Sequence, residues 1–305
     1  MPYYSPKIKS YVKKIAQFDG KFIIASLSGW FVLRERENLA AYSLWNPITL
    51  QSIHLPELLD APHEHPQCVF TSAPHDNNTS NIKMDCVFLM FFKGLVFFCK
   101  PTTRDGTSWV KHILQHNGTD MEIISAASVN GDIYAIDLTK GYNFVRIKIT
   151  SDVSHPLLLE PSFLEVPYFR VFNVYKASVV RLVEVDGILY YVYILARQQD
   201  DLSNFDIFMT FVWEMDLSRM GWIRVRSLGD KSLLLSCGGS TWCWAGISRG
   251  GLIERDCIYL VQDGCQTVHL YRLRDNSYTY LLPRNNFRWV VNGPFWFMPE
   301  HKRLV

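Results

Sequence analysis

Val179 to Val185 reads Val-Val-Arg-Leu-Val-Glu-Val, Asp186-Gly187 follows, and Leu189 to Leu195 resumes as Leu-Tyr-Tyr-Val-Tyr-Ile-Leu. Two apolar, β-branched and aromatic runs either side of an Asp-Gly pair read as a β-hairpin, because that pair accepts the backbone angles of a two-residue turn. Working outward, the same grammar returns. Upstream, Ile123 to Ser128 turns at Asn130-Gly131-Asp132 into Ile133 to Ile136, and Lys140-Gly141 leads to Phe144 to Ile149. Downstream, Phe211 to Met215 turns at Asp216 to Met220 into Trp222 to Val225. Further out lie Val87 to Met90, Leu95 to Cys99 and Ser108 to Leu114 on one side, and Trp242 to Ile247, Cys257 to Val261, Thr267 to Leu273 and Ser277 to Leu281 on the other. Near the start, Lys21 to Leu33 breaks at Ser28-Gly29. Ala41 to Trp45 then ends at Asn46-Pro47, and Gln51 to Leu55 stops at Pro56.

Strand, short turn, strand is the sequence face of a β-meander, and amphipathic helices are absent from this reading. The units also share a strand end: Trp45-Asn46-Pro47, Tyr134 to Leu138, Trp213 to Leu217 and Tyr271 to Asp275 are mutually similar. Their spacing is irregular, roughly 40–70 residues, near that of propeller blades. The chain has 305 residues, long for one core unless the architecture adds core by repetition. The expected fold is therefore all-β: a single β-propeller over residues 1–305, with about six blades of roughly four antiparallel strands. Five units are visible, and residues 1–20 with 285–300 are expected to complete a sixth from both termini.

Composition excludes several classes. Hydrophobic residues at 48% and charged ones at 20% describe a globular chain, not a disordered one. A formal charge of +2 argues against a broad nucleic-acid surface. No apolar segment follows a basic start at Met1, and Cys86 to Cys99 is interrupted by Lys93-Gly94, so neither a leader nor a membrane span is expected. Seven scattered cysteines then read as reduced and buried. Asn77-Asn78-Thr79 and Asn117-Gly118-Thr119 match the glycosylation sequon but read as polar loops. Cytoplasm or nucleus is the expected compartment, and monomer the expected state.

Motifs for chemistry are weak. There is no phosphate-binding G-x-x-x-x-G-K-[ST] string; Gly238-Gly239-Ser240 and Gly250-Gly251 read as turns, and Gly239-Ser240-Thr241 lacks the glycines of a nucleophile elbow. His63-Glu64-His65, with Cys68 and His75, carries sound zinc-ligand types. Pro62 and Pro66 flank it and no C-x-x-C accompanies it, so a solvated loop is expected. His112 and His116 have helical spacing inside a strand-like pattern and read as surface residues. Asp200-Asp201 and Asp206 lie in a polar stretch where solvent keeps carboxylates charged, without the splitting that acid–base work needs. Trp242 and Trp244 alternate with Cys243 and read as core packing. The expectation is no catalytic, cofactor-binding or metal residues, and no cofactor.

Several stretches together resemble the plant F-box-associated KIB-type β-propeller family. They are Ser28-Gly29-Trp30-Phe31-Val32, Leu44 to Thr49 with Leu55-Pro56, Val185 to Val192, Val212 to Leu217, Trp222 to Val225 with Ser227 to Asp230, Cys257 to Leu260 and Val268 to Leu273. The resemblance implies a non-catalytic scaffold that holds a protein substrate, as the propeller half of ubiquitin-ligase subunits does. Members carry an N-terminal F-box that docks a Skp-type adaptor. Before Ser28 there is no room for that helical module, and Tyr11 to Lys14 reads as strand, so adaptor binding is not expected. The alternatives are an enzyme or small-molecule binder using a central pocket, or a truncated copy without a partner. Two polar stretches interrupt the strands, Asp60 to Lys83 and Arg197 to Asp206. Both read as surface loops and as candidates for partner recognition; the sequence names no partner-binding residue and no partner.

Overall fold

The computed structural model describes residues 16–62, 64–72, 74, 86–101, 108–139, 141–148, 162–166, 177–198, 205–236, 239–244, 253–261 and 268–281. Among these residues a single 3-10 turn, Ala16–Phe18, precedes strands only. Four sheets are four-stranded meanders. The first holds β1 (Lys21–Leu27), β2 (Trp30–Glu35), β3 (Tyr42–Trp45) and β4 (Ser52–His54); the second holds β5 (Gln67–Phe70), β6 (Phe88–Phe92), β7 (Leu95–Cys99) and β8 (Val110–Ile113). A small hairpin, β9 (Gln115–His116) with β10 (Thr119–Asp120), joins it to the third sheet. That sheet is β11 (Ile123–Val129), β12 (Asp132–Asp137), β13 (Asn143–Ile147) and β14 (Ser162–Glu165). The fourth is β15 (Ala177–Val185), β16 (Ile188–Gln198), β17 (Phe205–Asp216) and β18 (Gly221–Val225). The fifth comprises β19 (Lys231–Ser236), β20 (Gly239–Trp244), β21 (Cys257–Leu260), β22 (Val268–Arg272) and β23 (Ser277–Leu281), in the order β20-β19-β21-β22-β23.

The first strands form a ring. β1 packs on β5, β5 on β11, β11 on β15, β15 on β20, and β20 back on β1. Among the described residues this is a propeller of five blades, against the about six expected from the sequence. Of the residues assigned to a sixth unit, 1–20 with 285–300, only 16–20 are described, and they hold the 3-10 turn and the approach to β1; 1–15 and 285–300 lie outside the described set.

Each blade feeds two cores, because alternate side chains of a strand point to opposite faces. In β6, Phe88, Met90 and Phe92 pack with Trp30, Tyr42 and Leu44 of the first blade. Leu89 and Phe91 face Ile123, Ile133 and Ile147 of the third. In β16, Tyr191 and Tyr193 meet Tyr134 and Phe144, while Tyr190 and Val192 meet Leu233 and Ile258. Burial on both faces explains why these strands are apolar throughout instead of alternating with polar residues. The hairpins Asn130-Gly131 and Asp186-Gly187 have both central residues at positive φ, 53° and 86°, then 51° and 79°. That pattern suits Asn or Asp followed by Gly and few other pairs.

The shared strand ends are turns locked by a side chain. Asn46 is buried, and its Oδ1 accepts from the N–H groups of Ile48 (2.9 Å) and Thr49 (3.1 Å). Asp216 Oδ1 accepts from Ser218 N–H (2.9 Å), the Ser218 hydroxyl (2.6 Å) and Arg219 N–H (3.1 Å). Those bonds, the hydroxyl first, hold its carboxyl below the ordinary aspartate value. Asp275 repeats the device with Ser277. Asp137 does not fall in line with them. It ends a second strand, not a third, and its Oδ1 accepts from Glu122 N–H (2.9 Å), Thr139 N–H (3.1 Å) and the Thr139 hydroxyl (2.6 Å), pinning the entry to β11.

Two strands correct the sequence reading. Asp60 to Lys83 is not a dispensable loop: Gln67–Phe70 inside it is β5, the inner strand of the second blade, with Cys68, Val69 and Phe70 buried. Lys231–Ser236, passed over in the sequence, is β19, which runs parallel to β21 and separates it from β20.

Candidate interaction face

Among the described residues the chemical candidates do not converge. Glu64 and His65 are exposed, while Cys68, four residues from Glu64, is buried in β5, so they face different surroundings. His63 and His75 lie outside the described residues. His112 sits on β8 and His116 on β9, where its Nε2 is 3.0 Å from Asn117 Nδ2. Strand geometry, not a shared helix face, separates them. Asp206 stands across the β16–β17 hairpin from Arg197; Asp200 and Asp201 are outside the described residues. Trp242 and Trp244 lie on β20, in register with Leu233 and Lys231 of β19. Among the described residues no three His, Cys, Asp or Glu side chains are grouped to hold a metal ion.

The inner strands line the axis, where a central-pocket enzyme would need convergent ionisable groups. On these five strands the charged residues are Lys21, Arg181 and Glu184. Lys21 is paired with Glu35 at 2.8 Å. Arg181 donates to the carbonyls of Ser236 (3.1 Å) and Val180 (2.7 Å). Glu184 accepts from Gly187 N–H at 2.6 Å, yet burial lifts its carboxyl above the ordinary value. The remaining described residues of these strands are mainly small or aliphatic, such as Ala25, Ser26, Ser125, Ala126 and Ala127.

The two rims of the ring differ. Because neighbouring strands in a blade are antiparallel, turns between first and second strands emerge on one face. Turns between second and third strands emerge on the other, with the linkers joining blades one to four. The hairpin face carries Ile48 and Leu50 exposed on the turn after β3. The linker face carries more: Leu39 and Leu59 on the first blade, Ile113 at the end of β8, Leu138 after β12 and Met209 on β17 are all exposed. Leu59 at 79% and Ile113 at 61% are the most open of these. The segments that carry Leu39 and Leu59 are tied together, since Leu58 N–H donates to Ala40 O at 2.8 Å.

Two features shape this face. A notch of about 570 Å³ opens between the second and third blades, lined by Lys93, Gln115, Asp120, Glu122, Leu138 and Thr139 among others. Gln115 Nε2 donates to Asp120 Oδ1 at 2.7 Å, and Lys93 stands 3.7 Å from Glu122. Asp120 lies so close over Gly94 that a Cβ there would come within 2.7 Å of its Cγ. The second feature is a projection. β16 and β17 have eleven and twelve residues, against six and four for β2 and β3, and stay paired out to Gln198 and Phe205. At about 3.3 Å per residue, the extra length of some five residues raises this hairpin roughly 16 Å above the neighbouring turns.

The sequence singled out Arg197 to Asp206 but read its strand ends as loop. The notch carried no sequence signal, because β8, β9, β10 and β12 bring its residues together only in the fold. Comparison with known proteins gives one family: residues 3–281, most of the chain, match the family described as the KIB1-4 beta-propeller. No curated protein matches the chain significantly.

Proposed function

The chain belongs to the KIB1-4 β-propeller family, and we propose that it is a non-catalytic scaffold whose linker face captures a protein partner. The observation that carries this is that five exposed apolar side chains spread over four blades, the notch and the raised β16–β17 hairpin all lie on one rim of the ring. Exposed apolar groups set among polar ones are how a protein-binding surface is built. A rigid ring with recognition on its turns needs no reacting group. The bonded state of Lys21 and Arg181 and the small side chains of the inner strands favour this reading over a central-pocket enzyme.

The resemblance to F-box proteins makes a ubiquitin-ligase substrate the partner we favour. In this reading the propeller acts as a monomer in cytoplasm or nucleus, and residues 1–305 by themselves do not engage a Skp-type adaptor. Purified adaptor binding residues 1–305 at micromolar affinity or better would remove that last claim. The scaffold role is tested by affinity capture from plant extract with matched variants. Leu39→Asp with Leu59→Asp on the linker face should abolish the partners that wild type retains, and Ile48→Asp with Leu50→Asp on the hairpin face should keep them. Loss with the second pair alone would place recognition on the opposite rim.

A further inference from the structure

A second contact surface, separate from the linker face, lies on the outer edge of the fourth blade. Its outermost strand is β18, which among the described residues pairs with β17 alone. Among the described residues its other edge is a row of backbone donors and acceptors that no strand covers, the kind of edge to which a strand adds. The sequence around it is cationic: from Leu217 to Gly229 there are three arginines, Arg219, Arg224 and Arg226, and no Asp or Glu. Arg219 is accounted for by Asp216, 3.8 Å away. Arg224 and Arg226 are exposed, and among the described residues neither has a carboxylate within ion-pair distance.

Arg224 is held in place. Its guanidinium carbon lies 4.6 Å from the Phe211 ring centre and 5.4 Å from that of Trp213. Those rings stack on each other with centroids 5.7 Å apart and an interplanar angle of 25°. A charge that only discourages edge-to-edge aggregation needs no such seat; solvated Lys or Arg suffices. Stacking fixes the planar fork and leaves its edge N–H groups for a carboxylate, at a lower entropic cost than a free side chain. Arg seated on aromatic rings is also a residue environment that dominates binding interfaces. On the opposite face of the same strand, Ile223 is 53% exposed. β18 thus offers a cation on one face and an apolar group on the other, beside a backbone edge that no described strand pairs with.

We propose that this edge binds an extended acidic segment of a partner protein by strand addition, with a Glu or Asp opposite Arg224 and a β-branched residue next to it opposite Ile223. Cross-strand pairing rewards this alternation of acidic and apolar residues. A nucleic acid would supply the charge but not the backbone pairing, and the chain's net charge of +2 gives no wider basic field.

The probe is a blocked hexapeptide of alternating Val and Glu, titrated calorimetrically into residues 1–305 at low salt. Saturable binding that weakens with added salt is expected. Arg224→Gln should weaken it about tenfold or more, since a charge-assisted bond and its geometry are both removed. Arg224→Lys should fall between, Arg226→Gln should weaken it less, and Arg219→Gln should leave it unchanged. All three positions are exposed, and an unchanged melting temperature checks that each of the four variants folds. A peptide with Lys in place of Glu should not bind, and methylating the amide nitrogens along its pairing edge should abolish binding. Absence of saturable binding, equal affinity of Arg224→Gln, binding of the Lys peptide, or indifference to N-methylation in both registers would each overturn the proposal. Leu39→Asp with Leu59→Asp should leave peptide affinity unchanged, so failure here and failure of the linker-face reading are told apart.

Discussion

Phe70→Ala decides whether the stretch from Asp60 to Lys83 is a loop or carries an inner strand. In the structure Phe70 is 4% exposed and pairs with Phe88 across β5 and β6, ring centres 5.0 Å apart. Its side chain sits in the core shared by the first two blades, with Trp30, Leu44 and Met90. Truncating a buried Phe to Ala costs about 3–5 kcal/mol, from lost transfer energy and the cavity left behind. In a chain of this size about 4 kcal/mol lowers the melting temperature by roughly 8 °C. A surface-loop Phe would cost below about 0.5 kcal/mol and shift melting by a degree at most. The assay is a thermal melt followed by tryptophan fluorescence, at several scan rates to expose irreversibility. The internal control replaces residues 199–204 with Asn-Gly, joining Gln198 and Phe205, already a cross-strand pair, by a two-residue turn; it should stay within about 2 °C of wild type. A Phe70→Ala melt within about 2 °C of wild type would refute the placement of β5 and with it the second blade.

Three further outcomes follow from particular contacts. Asp137→Ala takes the acceptor from Thr139 N–H and from the Thr139 hydroxyl and leaves Glu122 N–H with the Thr139 oxygen alone, which should cost about 2 kcal/mol in chemical denaturation, with Asp137→Asn, which keeps an acceptor, costing clearly less. Burial raises the folded-state carboxyl of Glu184 above its unfolded value, so its contribution is fully present below the unfolded value and is lost as pH rises through the folded one. Glu184→Gln should therefore melt above wild type at about pH 7 and level with it near pH 3, and no gain at pH 7 would contradict the sign. Burial pushes the thiols of Cys86, Cys99 and Cys257 up to about 12 and that of Cys68 higher still. These four should resist alkylation at about pH 8 in the native protein and react on unfolding, as peptide mass mapping will record.

The fold was legible where local chemistry and blade geometry agree. Asn130-Gly131 and Asp186-Gly187 announce their hairpins because few other pairs accept two successive positive φ angles. β5 was hidden because it is four residues long and follows Pro62 and Pro66 in a polar stretch. Its burial is set by blades either side, not by its own pattern. β19, with Leu233-Leu234-Leu235, was passed over because it stands outside the meander order, pairing in parallel with β21. The likeness of Asp137 to Asp216 was real as chemistry and wrong as position: a carboxylate locks both strand ends, but one closes a second strand and the other a third. On the surface, Arg197 to Asp206 could be found because its polarity interrupts two strands. The notch and the seat of Arg224 could not, since they depend on which strands become neighbours.

The central claim is that a partner docks on the linker face, and hydrogen–deuterium exchange of the protein alone and in complex with a captured partner tests it most directly. The account predicts new protection in peptides carrying Leu39, Leu59, Ile113 to Glu122 and Leu138, and in the raised β16–β17 hairpin. The turn bearing Ile48 and Leu50 should exchange as in the free protein. Protection confined to that turn and to the hairpins at Asn130-Gly131 and Asp186-Gly187 would contradict it.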